Sequence, residues 1–178
     1  PNNCVREQYF GFLREYYQQH GEIYLPRLKD LIDDMAFDGD WKPLFEFIAK
    51  AYRDNSAVRD AIEGERNLQG FFKAYLALAS YYLVHPELEM NYGYCDFFLL
   101  PDKQRYPETK HSYIMELKYA SRTATEAELE EQACEGRRQL EQYSRDKKVL
   151  LAGSGTDLHC ILLQFKGWDM VKCEEIKC

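Results

Sequence analysis

Apolar residues recur at helical spacing through the first third of the chain. Hydrophobic side chains stand three or four positions apart in three segments, a spacing that is typical of amphipathic helices. These segments cover residues 4–20, 26–35 and 43–51. Gly21 ends the first segment, and Asp38-Gly39-Asp40 is a turn signal before the third. The pattern predicts an all-helical segment over residues 1–58, with no catalytic motif in it.

The pattern changes from residue 59 onward. A helical pattern over residues 61–80 is followed by three strand-like runs, a charged helix over 124–146 and two more strand-like runs. The runs cover residues 83–91, 94–100, 111–119, 158–166 and 168–176. Pro86 marks the first run as an edge strand, and the unbroken apolar fourth run is typical of a central strand. The order α-β-β-β-α-β predicts an α/β domain over residues 59–178, with a further edge strand at its end.

Three charged residues stand within the second and third runs, and side-chain alternation predicts where they point. Glu116 and Lys118 share one face of the third run, and the other face is apolar and predicts core. The residues of that apolar face are Tyr113, Met115, Leu117 and Tyr119. Asp96 shares its face of the second run with large apolar side chains, where a carboxylate is costly unless it is paired or bound to a metal. If the two strands are neighbours, Asp96, Glu116 and Lys118 converge on one point.

This trio has the chemistry of a metal-dependent hydrolytic site. Two carboxylates can hold Mg²⁺ or Mn²⁺, the ion activates a water molecule, and a lysine can orient that water or contact a phosphate. The acid-x-Lys spacing alone is unspecific, because it occurs five times in the chain. Only the pair Glu116 and Lys118 lies within an apolar strand that follows an Asp-bearing strand. The alternative interpretation is a solvent-facing pair on a half-exposed antiparallel sheet.

Longer stretches of sequence carry a resemblance to a known family. They are E-R-N-L-Q-G-F-F, Y-Y-L-V-H-P-E, G-Y-C-D-F-F-L-L-P and S-Y-I-M-E-L-K-Y. The chain resembles the PD-(D/E)XK nuclease superfamily, in particular the C-terminal nuclease-like domain of bacterial proteins with an AAA-ATPase-like domain upstream. The resemblance implies a restriction-endonuclease-like core with a central mixed sheet flanked by helices. The chain departs from the pattern at Cys95, where the name-giving motif has proline.

The resemblance implies a role for each residue of the trio and for one more. Asp96 matches the aspartate of the second core strand, and Glu116 and Lys118 match the Glu-x-Lys of the third. Glu65 matches a glutamate on the first core helix that often joins the metal site. The implied catalytic residues are these four, and the implied metal ligands are Asp96, Glu116 and Glu65. Glu65 near a helix start can equally serve the helix dipole.

Three residues of the charged helix are candidates for substrate binding. Gln139 and Tyr143 match a Gln-x-x-x-Tyr motif that RecB-like members carry on the helix after Glu-x-Lys. Arg138 belongs to a basic stretch that could follow a phosphate backbone. The alternatives are an ordinary helix pair for Gln139 and Tyr143 and a solvated cation near the helix C-terminus for Arg138.

The overall charge counts against nucleic-acid binding. The 178 residues include 30 acidic and 23 basic side chains and have a net charge of −7, whereas phosphate-binding proteins usually have a basic excess. This balance favours the alternative of a catalytically silent nuclease-fold module that binds nucleic acid or protein. A local basic face would remove the objection.

The sequence also gives expectations for the partners, the cofactor and the location of the protein. The resemblance implies a nucleic-acid substrate (DNA rather than RNA), Mg²⁺ or Mn²⁺ as cofactor and an upstream AAA-ATPase-like domain in the same chain. The start at Pro1 without Met agrees with a C-terminal fragment, and an oligomer formed through residues 1–55 is compatible with either function. No apolar run approaches the ~20 residues that a membrane helix needs. The six cysteines include no C-x-x-C pair, and we expect reduced thiols in a cytoplasmic protein.

Overall fold

The computed structural model of the protein describes residues 25–54, 64–90 and 93–177. The chain order of its elements is α1 (Leu25–Phe37), α2 (Lys42–Asp54), α3 (Glu65–Leu76), β1 (Tyr82–Met90), β2 (Gly93–Pro101), β3 (His111–Ala120), α4 (Glu126–Ser144), α5 (Lys147–Ala152), β4 (Asp157–Lys166) and β5 (Asp169–Ile176). The predicted helix over 4–20 lies outside the described residues. The predicted helices over 26–35 and 43–51 are confirmed as α1 and α2.

The five strands form one mixed sheet in the order β1-β2-β3-β4-β5. β1, β2 and β3 pair antiparallel in sequence, β4 lies parallel to β3, and β5 is antiparallel to β4. The parallel pair needs a crossover, which α4 and α5 provide. The predicted α/β core with a central mixed sheet is confirmed. Pro86 does lie on an edge strand, β4 is an interior strand, and β5 forms the other edge.

Helices cover both faces of this sheet. One hydrophobic core contains residues of α1, α2 and α3 packed against Tyr113, Met115 and Leu117 of β3, which confirms the predicted apolar face. A second core lies on the opposite face, where α4 contributes Leu140. Glu116 on that second face is only 4% exposed. The interpretation of a half-exposed sheet with a solvent-facing ion pair is therefore wrong, because α4 covers the face that carries Glu116.

Two helix boundaries differ from the prediction. The helix predicted over 61–80 ends at Leu76, since the next residues form turns in which Leu78 N–H donates to the Tyr75 carbonyl; residues 61–63 lie outside the described residues. The helix predicted over 124–146 ends at Ser144. A short helix, α5, follows because the Asp146 side chain accepts from Lys148 N–H and caps a new first turn.

The cysteines correct one expectation. Cys95, Cys134 and Cys173 are free thiols, but Cys160 is disulfide-bonded, so the expectation of fully reduced thiols is wrong for that residue. Among the residues described, no helix is both long enough and apolar enough to cross a membrane.

Candidate active site

The site begins where strands β2 and β3 stop pairing. Their pairing runs from Leu99 opposite Tyr113 to Phe97 opposite Met115. Asp96 precedes Phe97 in β2. Beyond the last paired residues, the Asp96 side chain, and not the β2 backbone, makes the contact with β3. Its Oδ2 atom accepts a hydrogen bond of 2.7 Å from the backbone N–H of Leu117. The Asp96 carboxylate therefore sits between the two strands, next to the backbone of Glu116 and Lys118.

Glu116 and Lys118 form a buried ion pair under helix α4. Lys118 Nζ lies 2.9 Å from Glu116 Oε1 and donates to Gln139 Oε1 over 2.7 Å. The lysine side chain is only 14% exposed. The second carboxylate oxygen, Glu116 Oε2, is buried and has no hydrogen-bond partner among the described residues. A buried carboxylate oxygen without a donor is unfavourable, so this atom is a candidate acceptor for a group that is not part of the chain.

The three charged groups act strongly on one another. Burial raises the pKa of Glu116 to about 8, and the negative charge of Asp96 adds to the rise while Lys118 opposes it. Burial likewise raises the pKa of Asp96 to about 6, against the hydrogen bond from Leu117 N–H. Both carboxyls thus hold their protons more tightly than exposed acids do. Raised carboxyl pKa values of this kind are typical of sites that bind a cation or move protons.

Helix α3 brings two further side chains to this place. Glu65 is the first residue of α3 and is exposed, and its charge contributes to the raised pKa of both Asp96 and Glu116. Gln69 lies one helical turn later, and its Nε2 atom donates to Asp96 Oδ1 over 2.7 Å. The helix is anchored by Leu68 and Phe72, both fully buried.

The three candidates for substrate binding on α4, Gln139, Tyr143 and Arg138, have different surroundings. Gln139 contacts Lys118, as described above. Tyr143 is buried, and its hydroxyl donates to the Tyr94 carbonyl over 3.0 Å, so it holds the start of β2 and does not point to solvent. Arg138 is exposed and lies 3.5 Å from Gln142 Oε1. The structure thus brings Gln139 into contact with the trio. Burial raises the pKa of Tyr143, and the nearby charges of Glu116 and Asp96 add to the rise, so Tyr143 also lies close to the trio, whereas Arg138 is directed to Gln142.

The chain matches the model of a known protein family. A family model of the PD-(D/E)XK nuclease superfamily matches residues 63–175. The chain belongs to the PD-(D/E)XK nuclease superfamily. The match covers α3, strands β1 to β4, all of β5 except its last residue and both crossover helices, and it contains every candidate site residue. No curated protein and no solved structure matches the chain.

PD-(D/E)XK nucleases typically use divalent metal ions, and the residues of this member partly fit such an ion. Asp96 and Glu116 supply carboxylate oxygens, the ligands that Mg²⁺ prefers, and the unpartnered Glu116 Oε2 is a free ligand atom. In the part of the chain that the structure describes, no three His, Cys, Asp or Glu side chains are grouped closely enough to hold a metal. Asp96 and Glu116 are therefore the candidate pair, and a metal role for Glu65 stays a prediction.

Sequence reasoning missed two residues of this PD-(D/E)XK site. Gln69 could have been predicted from the sequence, because it stands four positions after Glu65 and so shares a face of α3 with it. Nothing in the sequence marks Gly136 as part of the site. In the structure a Cβ at this position would lie 2.6 Å from Leu162 Cδ1 and 3.4 Å from Lys118 Cε. Its close contact with the sheet lets α4 approach the ion pair, and only the folded structure shows which glycine does so.

Proposed function

We propose that this protein is a metal-dependent nuclease that hydrolyses phosphodiester bonds in DNA. Membership of the superfamily supports phosphodiester hydrolysis. The single observation that carries the proposal is the buried Glu116 carboxylate, which has a lysine on one oxygen and no partner on the other. A buried ion pair that served stability alone would satisfy its remaining oxygen. An open oxygen beside a second carboxylate, Asp96, is what a cation site requires.

The proposed roles follow from the contacts of each group. Asp96 and Glu116 hold the cation, and Glu65 lies near enough to add its charge. The chemistry that Mg²⁺ or Mn²⁺ supplies in such a site is Lewis acidity toward a water molecule and a phosphate. Lys118 is held by Glu116 and Gln139, and from there its ammonium group orients the attacking water or stabilises charge on the phosphate. Gln139 fixes the lysine, and Arg138 and Tyr143 remain candidates for substrate contact.

Several finer features of the proposal rest on the family resemblance or on the sequence pattern. They are DNA rather than RNA as substrate, an AAA-ATPase-like domain upstream in the same chain, an oligomeric assembly and a cytoplasmic location. The division of the chain into a helical segment over residues 1–58 and a nuclease-like domain over 59–178 has the same status. Comparison of DNA and RNA substrates in one cleavage assay would test the first of these features.

A cleavage assay with matched variants tests the proposal. The protein is incubated with linear DNA, plasmid DNA and RNA in Mn²⁺, in Mg²⁺ and in excess EDTA. We expect cleavage in the presence of metal only. The variants Asp96→Asn and Lys118→Ala should lower kcat about 100-fold or more, because each removes a group that acts on the reacting atoms. The intact fold is checked by thermal unfolding of each variant.

The chain provides its own control for these substitutions. Glu108 and Lys110 have the same acid-x-Lys spacing, but both are exposed and lie in the loop before β3. Glu108→Gln and Lys110→Ala should leave cleavage unchanged. Metal-dependent cleavage that survives both Asp96→Asn and Lys118→Ala would show that the reaction, or a contaminant, uses another site.

One observation favours a second function, that of a silent nuclease-fold module which binds protein. A cavity of about 410 Å³ opens beside the end of β3, and Glu128, Glu131 and Glu135 are among its lining residues. These carboxylates repel phosphates, as does the net charge of −7. A silent module binds no Mn²⁺ between Asp96 and Glu116, so calorimetry that detects no Mn²⁺ binding to the wild-type protein would favour it.

A further inference from the structure

The Asp96 carboxylate is held at both oxygens by groups from different layers of the fold. Leu117 N–H donates to Oδ2 from the sheet, and Gln69 Nε2 donates to Oδ1 from helix α3, each over 2.7 Å. A carboxylate bound in this way cannot rotate without losing one of the two hydrogen bonds. Its orientation therefore depends on the position of α3 as well as on the sheet.

The backbone of β2, which pairs with β1 on both sides of Asp96, fixes the position of this residue but not the orientation of its carboxylate. The pairing of β2 with β3 ends at Phe97, one residue after Asp96 in the chain. Helix α3, in contrast, is fixed in the first core by Leu68 and Phe72, which stand on either side of Gln69 in sequence and are fully buried. The Gln69 side chain thus extends from a rigid support to a carboxylate that lies beyond the part of β2 that pairs with β3.

We propose that Gln69 is a positioning residue that fixes the orientation of the Asp96 carboxylate through its side-chain N–H. The metal-binding part of this inference rests on the proposed function. A group that orients a ligand in this way typically changes metal affinity by about 10- to 100-fold when it is removed. Gln69 acts through Asp96 and does not itself contact the reacting atoms.

Two substitutions at Gln69 test whether its side chain acts as a hydrogen-bond donor or only fills space. Gln69→Leu removes the donor, while Gln69→Glu keeps the shape and replaces the donor by a carboxylate. If Gln69 acts as a donor, both variants should lose its effect. If it merely fills space, Gln69→Leu should behave like the wild type, because leucine fills the site without a donor or a charge. Gln104→Leu is the matched control, because Gln104 is exposed in the loop between β2 and β3.

The first measurement needs neither metal nor substrate. Amide hydrogen exchange of Leu117 reports on the Asp96 carboxylate that accepts from it. We expect exchange about tenfold faster in both Gln69 variants, because the loosened carboxylate protects this amide less well. The amide of Leu163 in β4 should keep its wild-type rate. Unchanged exchange at Leu117 in both variants, or in Gln69→Leu alone, overturns the proposal.

The second measurement is calorimetric titration with Mn²⁺. We expect affinity to fall about 10- to 100-fold in both Gln69 variants and to stay unchanged in Gln104→Leu. Tighter binding by Gln69→Glu would overturn the proposal, since it would show that residue 69 reaches the ion directly. If the wild-type protein binds no Mn²⁺ and cuts no DNA, the proposed function fails, while the exchange of Leu117 still decides the role of Gln69.

Discussion

Glu116 holds a carboxyl group in a place where its charge is poorly solvated. Burial raises its pKa from the ordinary value of 4.5 to about 8. Between these two pH values the folded protein keeps a proton that the unfolded chain has released. The folded state then binds more protons than the unfolded state, so the free energy of unfolding falls as the pH rises through this window. Asp96 acts in the same direction, because its pKa is raised to about 6.

The variant Glu116→Gln tests this pH dependence. In EDTA, the wild-type protein should lose roughly 2–4 kcal/mol of stability between pH 5 and pH 8, and Glu116→Gln should lose much less because it has no proton to release there. Urea unfolding at a series of pH values measures the difference. Glu108→Gln, at an exposed glutamate, should keep the wild-type slope. A wild-type stability that rises from pH 5 to pH 8 in EDTA would contradict the raised pKa.

Helix α4 can cover the ion pair only because it approaches the sheet closely at Gly136. A Cβ at this position would lie 2.6 Å from Leu162 Cδ1, and Leu162 is fully buried and has little room to move. Gly136→Ala should therefore push α4 away from the sheet and destabilise the protein by about 1–3 kcal/mol, the usual range for overpacking. Gly136 stands one turn before Gln139, so the contact of Gln139 with Lys118 should loosen as well.

Two measurements check this expectation for α4. Thermal unfolding should show the lower stability of Gly136→Ala, and cleavage by the folded variant should be slower than in the wild type. Glu141→Ala is the control, because Glu141 is exposed on the same helix; it should leave both properties unchanged, since alanine is a favourable helix residue. Equal stability of Gly136→Ala and the wild type would mean that the core at Leu162 adapts without strain.

The elements also show what the sequence could predict. The alternation of apolar residues in β3 predicted which face is core, and it placed Glu116 with Lys118 on the other face correctly. It could not predict that α4 covers this other face, because a helix pattern shows which side of a helix is buried but not against which surface. For the same reason the burial of Glu116, the two hydrogen bonds of Asp96 and the close approach of Gly136 came only from the structure. Helix α5 was missed although Asp146, its N-cap, provided a local signal.

At the scale of the whole molecule, the N-terminal helices share one core with the sheet. The Tyr113 hydroxyl of β3 donates to the Met35 carbonyl of α1 over 2.7 Å. Trp41, just before α2, donates to Glu175 of β5 over 3.3 Å, and the ring of Tyr52 packs edge-on against Phe165 of β4. These contacts join α1 and α2 to three different strands. The superfamily match begins later, at residue 63, so sequence similarity and packing place the start of the nuclease-like unit differently.

A truncation tests which of these two boundaries is the start of the folding unit. A fragment of residues 59–178 lacks α1 and α2, so of the three helices that form the first core with the sheet it keeps α3 alone. We expect it to lose cooperative thermal unfolding and to bind a hydrophobic dye, as compact states without fixed packing do. A fragment of residues 22–178 keeps all the described helices and is the control for shortening the chain. Cooperative unfolding of the 59–178 fragment, with a midpoint close to that of the control, would show that the helices only lie on a domain that is stable without them. Loss of cooperativity in the shorter fragment alone would instead make α1 and α2 part of the folding unit, and every assay of the candidate site would then need them present.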